Sequence, residues 1–153
     1  MDKKTTKESE VRMTELVLPN DTNLIGNLLG GRLMYWVDIV GALAASRHCR
    51  NVVATVQVDS IDFKNPIKRG DMVELFAKLT WVGRTSMEVK VTVYSENLFT
   101  GEKILTNEAY LVFVSLDRHR NPVRVPGLLL ETEDEMVEWE KAIARKAYRM
   151  KNK

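Results

Sequence analysis

Asp38 is the residue whose placement in the sequence first suggests chemistry. It lies midway along residues 31–47, a run that is apolar on nearly every side when it is wound as a helix. A helix without a polar face is normally enclosed by its own protein. A lone carboxylate in that setting either finds partners or has its pKa shifted upward. From these residues alone, a structural aspartate at a wet subunit contact and a reacting aspartate are both open interpretations.

Two glycines stand at the start of this run, Gly30 just before it and Gly31 as its first residue. Gly31 opens the predicted helix, where unpaired backbone N–H groups and the positive end of the helix dipole suit an anion. It has no side chain, so a ligand can approach the backbone. The distance from Gly31 to Asp38 is about 10 Å along the helix axis. That gap must hold a reacting group and water, or be filled from a second protomer.

Composition limits the remaining possibilities. The 153 residues are 44% apolar and carry 23 basic and 21 acidic side chains, a net charge of +2. The length predicts one domain, and the apolar fraction is enough for a buried core. The near balance of charges gives no strong positive electrostatic potential that would attract nucleic acid. Cys49 is the single cysteine, which excludes an intrachain disulfide and favours a reducing, cytoplasmic compartment. No apolar run reaches the ~18 residues of a membrane span. Residues 1–10 are polar and predict a disordered leader before a single domain at 11–153.

The elements that would position Asp38 follow from hydrophobic periodicity. A short strand at 11–18, a loop at 20–30 and the helix at 31–47 come first. Four strands with short connections follow, and their valine-rich faces are predicted to be core. Thr132 and Glu135 predict a capping box for a last helix. The predicted apolar stripe of that helix is Met136, Trp139, Ile143, Ala147 and Met150.

The second strand changes phase within its length. Its two apolar sets are Val52, Ala54, Val56 and Val58, and then Ile61 and Phe63. A slip at Asp59–Ser60 predicts a bulge or a sharp bend there.

Hairpin-length connections favour an antiparallel sheet, and wrapping that sheet around the apolar helix is the simplest way to enclose it. We therefore predict an α+β fold in which a curved antiparallel sheet surrounds a long central helix, with a C-terminal helix added. A curved sheet covers only part of such a helix. The remainder, including Asp38, is predicted to face a second subunit.

With these elements in place, the chain resembles the hotdog-fold acyl-CoA thioesterases of the bacterial and brain acyl-CoA hydrolase type. The resemblance covers about residues 11–149 and depends on an ordered set of fragments. The fragments are Pro19, Asp21–Asn23, Gly26–Asn27, Gly30–Gly31, Trp36–Asp38, Ala45–Cys49, Val56–Phe63, Gly70–Asp71, Ser86–Val89, Val125–Pro126 and Glu131–Glu135. The resemblance implies hydrolysis of acyl-CoA, with Asn23 and Asp38 as active residues supplied by facing protomers of a homodimer. It also implies that dimers assemble further, often into hexamers.

Thioester hydrolysis suits these residue types. The leaving thiol has a pKa of roughly 8.5, so the reaction needs little acid assistance. It needs a base or nucleophile, a stabilised oxyanion and exclusion of bulk water. Asp38 is the candidate base, or a nucleophile that forms a mixed anhydride. Asn23 is the candidate to hold the water or the thioester carbonyl, and the N–H of Gly31 is the candidate oxyanion donor.

The phosphates of coenzyme A are expected to meet polar and basic groups in turns. The candidate substrate-binding residues are Gly30, Arg47, His48, Asp59, Arg84, Thr85 and Ser86, and the other basic turn residues are Lys64, Lys68 and Arg69. The turn at 84–86 is favoured because it adds backbone N–H groups to a guanidinium. The two histidines, His48 and His119, lie near no cysteine or carboxylate at metal-ligand spacing. No metal is predicted, and no cofactor other than the coenzyme A of the substrate itself. Cys49 is predicted to be a small buried apolar residue.

Two other functions remain as alternatives. The first is a non-catalytic acyl-CoA sensor on the same fold. Retention of Asn23 and Asp38 argues against it, as does the lack of an added DNA-binding segment. The second is a hotdog dehydratase acting on acyl carriers, whose chemistry would need a histidine in the loop before the helix. Residues 19–31 contain none.

Overall fold

The computed structural model describes residues 1–61 and 64–152. Asp62 and Phe63, which belong to the strand pattern and the family fragments above, lie outside the described residues. In chain order the elements are β1 (Lys4–Thr5), α1 (Thr6–Ser9), β2 (Val11–Leu16), a 3₁₀ turn (Pro19–Asp21), α2 (Gly30–Cys49), β3 (Val52–Ile61), β4 (Met72–Val82), β5 (Ser86–Glu96), β6 (Lys103–Leu116), β7 (Leu128–Leu129) and α3 (Glu133–Lys151).

A five-stranded antiparallel sheet, in the order β2-β4-β5-β6-β3, packs against α2. Val40 and Ala44 of the helix are fully buried in the same core as Val91 and Phe113 of the sheet. Gly41 lets the two layers approach closely, because a Cβ there would lie 3.1 Å from the Phe113 ring. The predicted hotdog arrangement of sheet, long central helix and C-terminal helix is confirmed.

Strand β3 forms one edge of this sheet. Its register against β6 shifts between Thr55 and Gln57 and again between Asp59 and Ile61, so the predicted irregularity at Asp59–Ser60 is confirmed. The expectation that its valines are core is wrong for three of them, since Val52, Val56 and Val58 are exposed. Val53 packs against the core instead. Thr55 and Gln57, which alternate with these valines, are exposed as well, so the middle of this edge strand is not buried on either face within one chain.

Helix α3 also departs from the sequence prediction. Thr132 caps the helix as predicted, since Glu135 N–H donates to its hydroxyl at 3.1 Å. The capping box is only half formed, because the Glu135 carboxylate accepts from the N–H of Glu131, at 3.0 Å, rather than from that of Thr132. The predicted apolar stripe does not lie against the sheet as one surface: Trp139 packs against the core, but Met136, Ile143, Ala147 and Met150 are exposed.

The reason is the polarity of the outer face of the sheet. Glu88 of β5 is only 1% exposed and accepts two hydrogen bonds from the Arg145 guanidinium, at 2.7 and 3.0 Å. Thr80 donates a further bond of 2.6 Å to the same carboxylate. A buried carboxylate needs a charged, hydrogen-bonding partner, so the helix turns its cationic side inward.

Residues 4–9 form a short strand and a helical turn, where a disordered leader was predicted. Lys4–Thr5 pair in parallel with Leu128–Leu129, and Thr6 and Ser9 are buried. The Lys4 ammonium donates a 2.8 Å hydrogen bond to the carbonyl of His48 at the end of α2. The prediction failed because a polar segment can be held by the unpaired carbonyls and negative dipole of a helix C-terminus, which composition does not reveal.

Helix α2 begins one residue before the predicted start and ends two residues after the predicted end. It stops where Arg50 adopts a left-handed conformation, with φ 58°. Among the described residues, no helix combines the length and the apolar character that would let it cross a membrane.

Candidate active site

The beginning of α2 is open. The preceding Leu29 supplies no side-chain cap, so the N–H groups of Gly30 and Gly31 have no partner within the helix. Both glycines are exposed. A Cβ built on Gly31 would meet no atom within 4 Å, so packing within the chain does not require glycine there. A glycine inside a helix costs roughly 0.5–1 kcal/mol relative to alanine, which makes this unfilled space a candidate ligand position.

Asn23 lies in the exposed loop before α2 and is fixed by its own side chain. Its Oδ1 accepts hydrogen bonds from the backbone N–H groups of Ile25 and Asn27, both at 3.1 Å. Because backbone nitrogens only donate, these contacts assign the two amide atoms. Oδ1 is committed to the loop, and the amide Nδ2 makes no hydrogen bond within the described residues. Asn23 therefore presents a donor to whatever binds beside it.

Asp38 has one direct partner. The Thr55 hydroxyl of β3 donates a 2.7 Å hydrogen bond to Asp38 Oδ1, and the Asp38 side chain is half-buried. Of the two outcomes expected for a carboxylate on an apolar helix, the structure shows the first, a partner. Sequence reasoning missed Thr55. The signal was present, since Thr55 is the one polar residue between Val52 and Val56.

One chain does not bring the candidate catalytic residues together. Asp38 lies about 12 Å along the helix axis from Gly30, and Asn23 precedes the helix in the loop. The donors at the start of α2 and the carboxylate in its middle therefore occupy different stretches of the helix.

His48 is placed where it cannot bind coenzyme A. It is 0% exposed, and its Nε2 lies 2.8 Å from the carbonyl of Pro126, to which it donates. Burial lowers the pKa of His48, and the Lys4 charge lowers it further. The prediction that His48 contacts the phosphates is therefore wrong, because the residue is a neutral core group. Cys49 beside it is buried, as predicted.

The other candidate substrate residues remain at the surface. Arg47 donates to the carbonyl of Glu10 and lines an open groove of about 800 Å³ with Arg50 and Arg118. Asp59 forms an ion pair with Arg149 of α3. That pair ties α3 to the irregular part of β3, a structural role that the sequence did not indicate.

The turn at 84–86 is fixed by its carbonyls. Arg84 O accepts from Val125 N–H at 2.9 Å, Thr85 O accepts from Ser115 N–H at 3.0 Å, and Ser86 O accepts from Gly83 N–H at 2.8 Å. The Arg84 side chain is exposed. Phosphate binding by this turn stays a prediction. In the part of the chain that the structure describes, no three His, Cys, Asp or Glu side chains gather as a metal site.

Known proteins resemble this chain over nearly its whole length. Residues 25–99 match the family described as the Thioesterase superfamily. The chain is 45% identical to the acyl-CoA thioester hydrolase YkhA of Bacillus subtilis, over 91% of this chain and 81% of that protein. It superposes on the crystal structure of an apo-hexameric acyl-CoA thioesterase with a TM-score of 0.95 and 41% identity, covering 99% of this chain and 97% of the other.

A third relative was solved with ligands. This acyl-CoA hydrolase from Staphylococcus aureus, in complex with butyryl coenzyme A, coenzyme A and coenzyme A disulfide, superposes with a TM-score of 0.88 and 35% identity, covering 97% of this chain and 93% of the other. It has also been solved as mutants in which an aspartate, an asparagine or a threonine is replaced by alanine. From its fold and these likenesses, the chain belongs to the hotdog-fold acyl-CoA thioester hydrolases.

Proposed function

We propose that this chain hydrolyses fatty acyl-CoA to free acid and coenzyme A, with Asp38 as the group that activates or delivers the attacking oxygen. The observation that carries the proposal is the Asp38–Thr55 hydrogen bond of 2.7 Å. It holds one carboxylate oxygen in place on an otherwise apolar helix and leaves the other oxygen, Oδ2, to the reaction. Thr55 acts as a positioning residue.

The reaction divides into a few bond changes. As a general base, Asp38 takes a proton from water while the water oxygen attacks the thioester carbonyl carbon. As a nucleophile, it attacks that carbon itself and forms a mixed anhydride that water then cleaves. On either route the C–S bond breaks, and the sulfur leaves as a thiolate without needing a strong acid.

Charge on the carbonyl oxygen needs donors, and the start of α2 offers them. The N–H of Gly31 and the amide Nδ2 of Asn23 are exposed donors close to the positive end of the helix dipole. Gly30 keeps the approach to them open. The same three residue types as Asp38, Asn23 and Thr55 were chosen for replacement in the Staphylococcus aureus hydrolase, which supports giving all three a role.

The separation between Asp38 and the donors supports a site built from two protomers. Strand β3 leaves its outer edge unpaired and exposes Val52, Val56 and Val58. Pairing of two β3 edges would cover these valines and bring the Asp38 of one protomer towards the Asn23 loop of the other. We propose a homodimer of this kind that assembles further into a hexamer, as the hexameric relative does. The single, free cysteine suits a cytoplasmic location.

Thiol release from acyl-CoA tests the proposal directly. A panel of acyl lengths should release free thiol, and Asp38→Ala or Asn23→Ala should lower kcat at least ~100-fold, the loss expected for a base or an oriented donor. Mixed Asp38→Ala and Asn23→Ala chains should regain activity, because each mixed dimer rebuilds one complete site.

Asn97→Ala is the matched control for the asparagine. Asn97 Oδ1 accepts from the N–H groups of Phe99 and Thr100, at 2.9 and 3.2 Å, so its replacement removes the same kind of turn bond away from α2. It should leave kcat within about twofold. Acyl-CoA binding without any thiol release would favour the sensor alternative, and normal turnover by Asp38→Ala would remove Asp38 from the mechanism.

A further inference from the structure

Helix α3 buries Trp139 and Ala142 but carries its other apolar side chains on the side away from the sheet. Its inward side presents Ala142 and the charged groups Glu138, Arg145 and Arg149, which contact Tyr110, Glu88 and Asp59. The opposite side is exposed and almost continuous along the helix. We call it the outer face of α3, and its apolar residues are Met136, Val137, Ile143, Ala144, Ala147, Tyr148 and Met150.

This arrangement is the reverse of an ordinary surface helix, which buries its apolar stripe and exposes its charges. Tyr148 is 69% exposed and Met150 67% exposed. Contiguous apolar surface of this kind marks an interaction site. A shallow groove of about 420 Å³ runs along it, lined by Met136, Val137, Glu140, Lys141 and Ala144.

We propose that the outer face of α3 binds the same face of α3 from a second copy, in an antiparallel arrangement, and so joins one dimer to the next. The proposal rests on the larger assembly proposed above and assigns one of its contacts. It uses a surface separate from the β3 edge. A closed assembly larger than a dimer needs a second interface, because the isologous β3 contact alone closes on itself as a dimer.

The charged side chains of α3 favour a second copy of the same helix as the partner, and they favour an antiparallel arrangement of the two helices. Glu140 and Lys141 flank the centre of the groove, so a two-fold axis passing there sets each glutamate against the lysine of the other copy. The helix begins with Glu133 and Asp134 and ends with Arg149 and Lys151. Antiparallel pairing places acidic starts against basic ends, whereas parallel pairing would place like charges together.

The same axis pairs small with larger apolar groups. It brings Val137 against Ala144 of the partner subunit, and the reverse, which lets the two helices approach closely. A charge placed at Val137 would lie in the apolar centre of the contact and would leave an unpaired buried charge, which is the most damaging single change there.

The experiment measures the mass of the full chain across concentration, by sedimentation or light scattering, and thiol release on the same samples. The variants are Val137→Asp, Glu140→Lys and the double exchange Glu140→Lys with Lys141→Glu. Phe99→Asp is the control, since Phe99 is 98% exposed on the β5–β6 hairpin. Circular dichroism verifies that each variant is folded.

The wild-type chain and Phe99→Asp should be larger than a dimer, and Val137→Asp should fall to a dimer. Glu140→Lys should raise the dissociation constant between dimers at least ~10-fold, and the double exchange should restore it to within about threefold, as for a matched charge pair. The proposal is overturned if Val137→Asp keeps the wild-type mass, if the double exchange does not restore assembly, or if Phe99→Asp alone dissociates. It is also overturned if the wild-type chain never exceeds a dimer. Mass and thiol release are read separately, so failure of this contact and failure of the hydrolysis are distinguishable.

Discussion

The two ends of α2 received similar predictions from the sequence but differ completely in the structure. Both were candidate ligand positions, one for an oxyanion at Gly31 and one for phosphates at Arg47 and His48. The first end is open, with exposed glycines and a loop that presents the Asn23 amide. At the second, the Lys4 ammonium covers the last carbonyls, and His48 is buried against Pro126.

This difference shows what each end contributes. The open end has donors that no group in the helix uses, which suits it to transient charge on a substrate. The closed end has its carbonyls and its imidazole bonded to segments far away in the sequence, which suits it to holding the chain together. Activity should therefore respond to changes at the start of α2, and stability to changes at its end.

Among changes that compare the two ends of α2, His48→Ala should produce the largest effect, and the effect should be on stability. It removes a fully buried ring and its bond to Pro126, for a loss of about 2 kcal/mol in the free energy of unfolding. Chemical denaturation measures this loss, and kcat per folded chain should stay within twofold. A tenfold fall in kcat for His48→Ala at unchanged stability would indicate that the C-terminal end of α2 binds the ligand. It would contradict the assignment of activity to the start of the helix and stability to its end.

Gly31→Ala should act in the opposite way. The added methyl group meets nothing within the chain, so stability should rise by roughly 0.5–1 kcal/mol from the better helix propensity. The methyl group occupies the space offered to the thioester, so kcat/KM should fall about tenfold. Gly41→Ala is the control, because its Cβ would press on Phe113; it should cost stability and leave kcat per folded chain intact. Full activity in Gly31→Ala would show that the open end is not used.

Stability should also depend on pH through His48. Burial holds the folded-state pKa of His48 below its ordinary value of 6.5, with Lys4 adding to the shift, while Glu8 and the Pro126 bond oppose it. As the pH falls below about 6.5, the unfolded chain takes up a proton that the folded chain does not. The free energy of unfolding should therefore fall with decreasing pH by about 1 kcal/mol per pH unit, and level off below the folded-state pKa. In His48→Asn this component should be missing; an unchanged pH profile there would assign the dependence to other groups.

Thr55→Val should have the smallest effect. It keeps the shape of the side chain and removes the hydroxyl that holds Asp38 Oδ1, so kcat should fall about fivefold, as for one lost hydrogen bond. Thr55→Ser retains a hydroxyl and should recover most of the rate. Equal loss in both variants would mean that packing of β3, rather than the hydrogen bond, positions the carboxylate.

The sequence was sufficient where the signal is local. Periodicity located α2 and the strands, and the resemblance supplied the fold and the enzyme class. The sequence was insufficient where the position of a side chain is decided by contacts with a segment that is distant in the chain. The His48 ring is buried against the carbonyl of Pro126, far away in the sequence, and Thr55 reaches Asp38 because β3 packs beside α2. The orientation of α3 has the same cause: periodicity identifies which of its residues are apolar, but the buried Glu88, paired with Arg145, decides which side of the helix faces the sheet.

The unpaired edge of β3 affects how newly synthesised chains aggregate. A strand with open N–H and C=O groups and uncovered valines is a template for any extended segment that meets it, including an unfinished or misfolded copy of itself. Newly made protein should therefore aggregate when its own partner is scarce, and dilution should lower its melting temperature. Quaternary structure would then serve as protection against precipitation as well as a means of completing a catalytic centre.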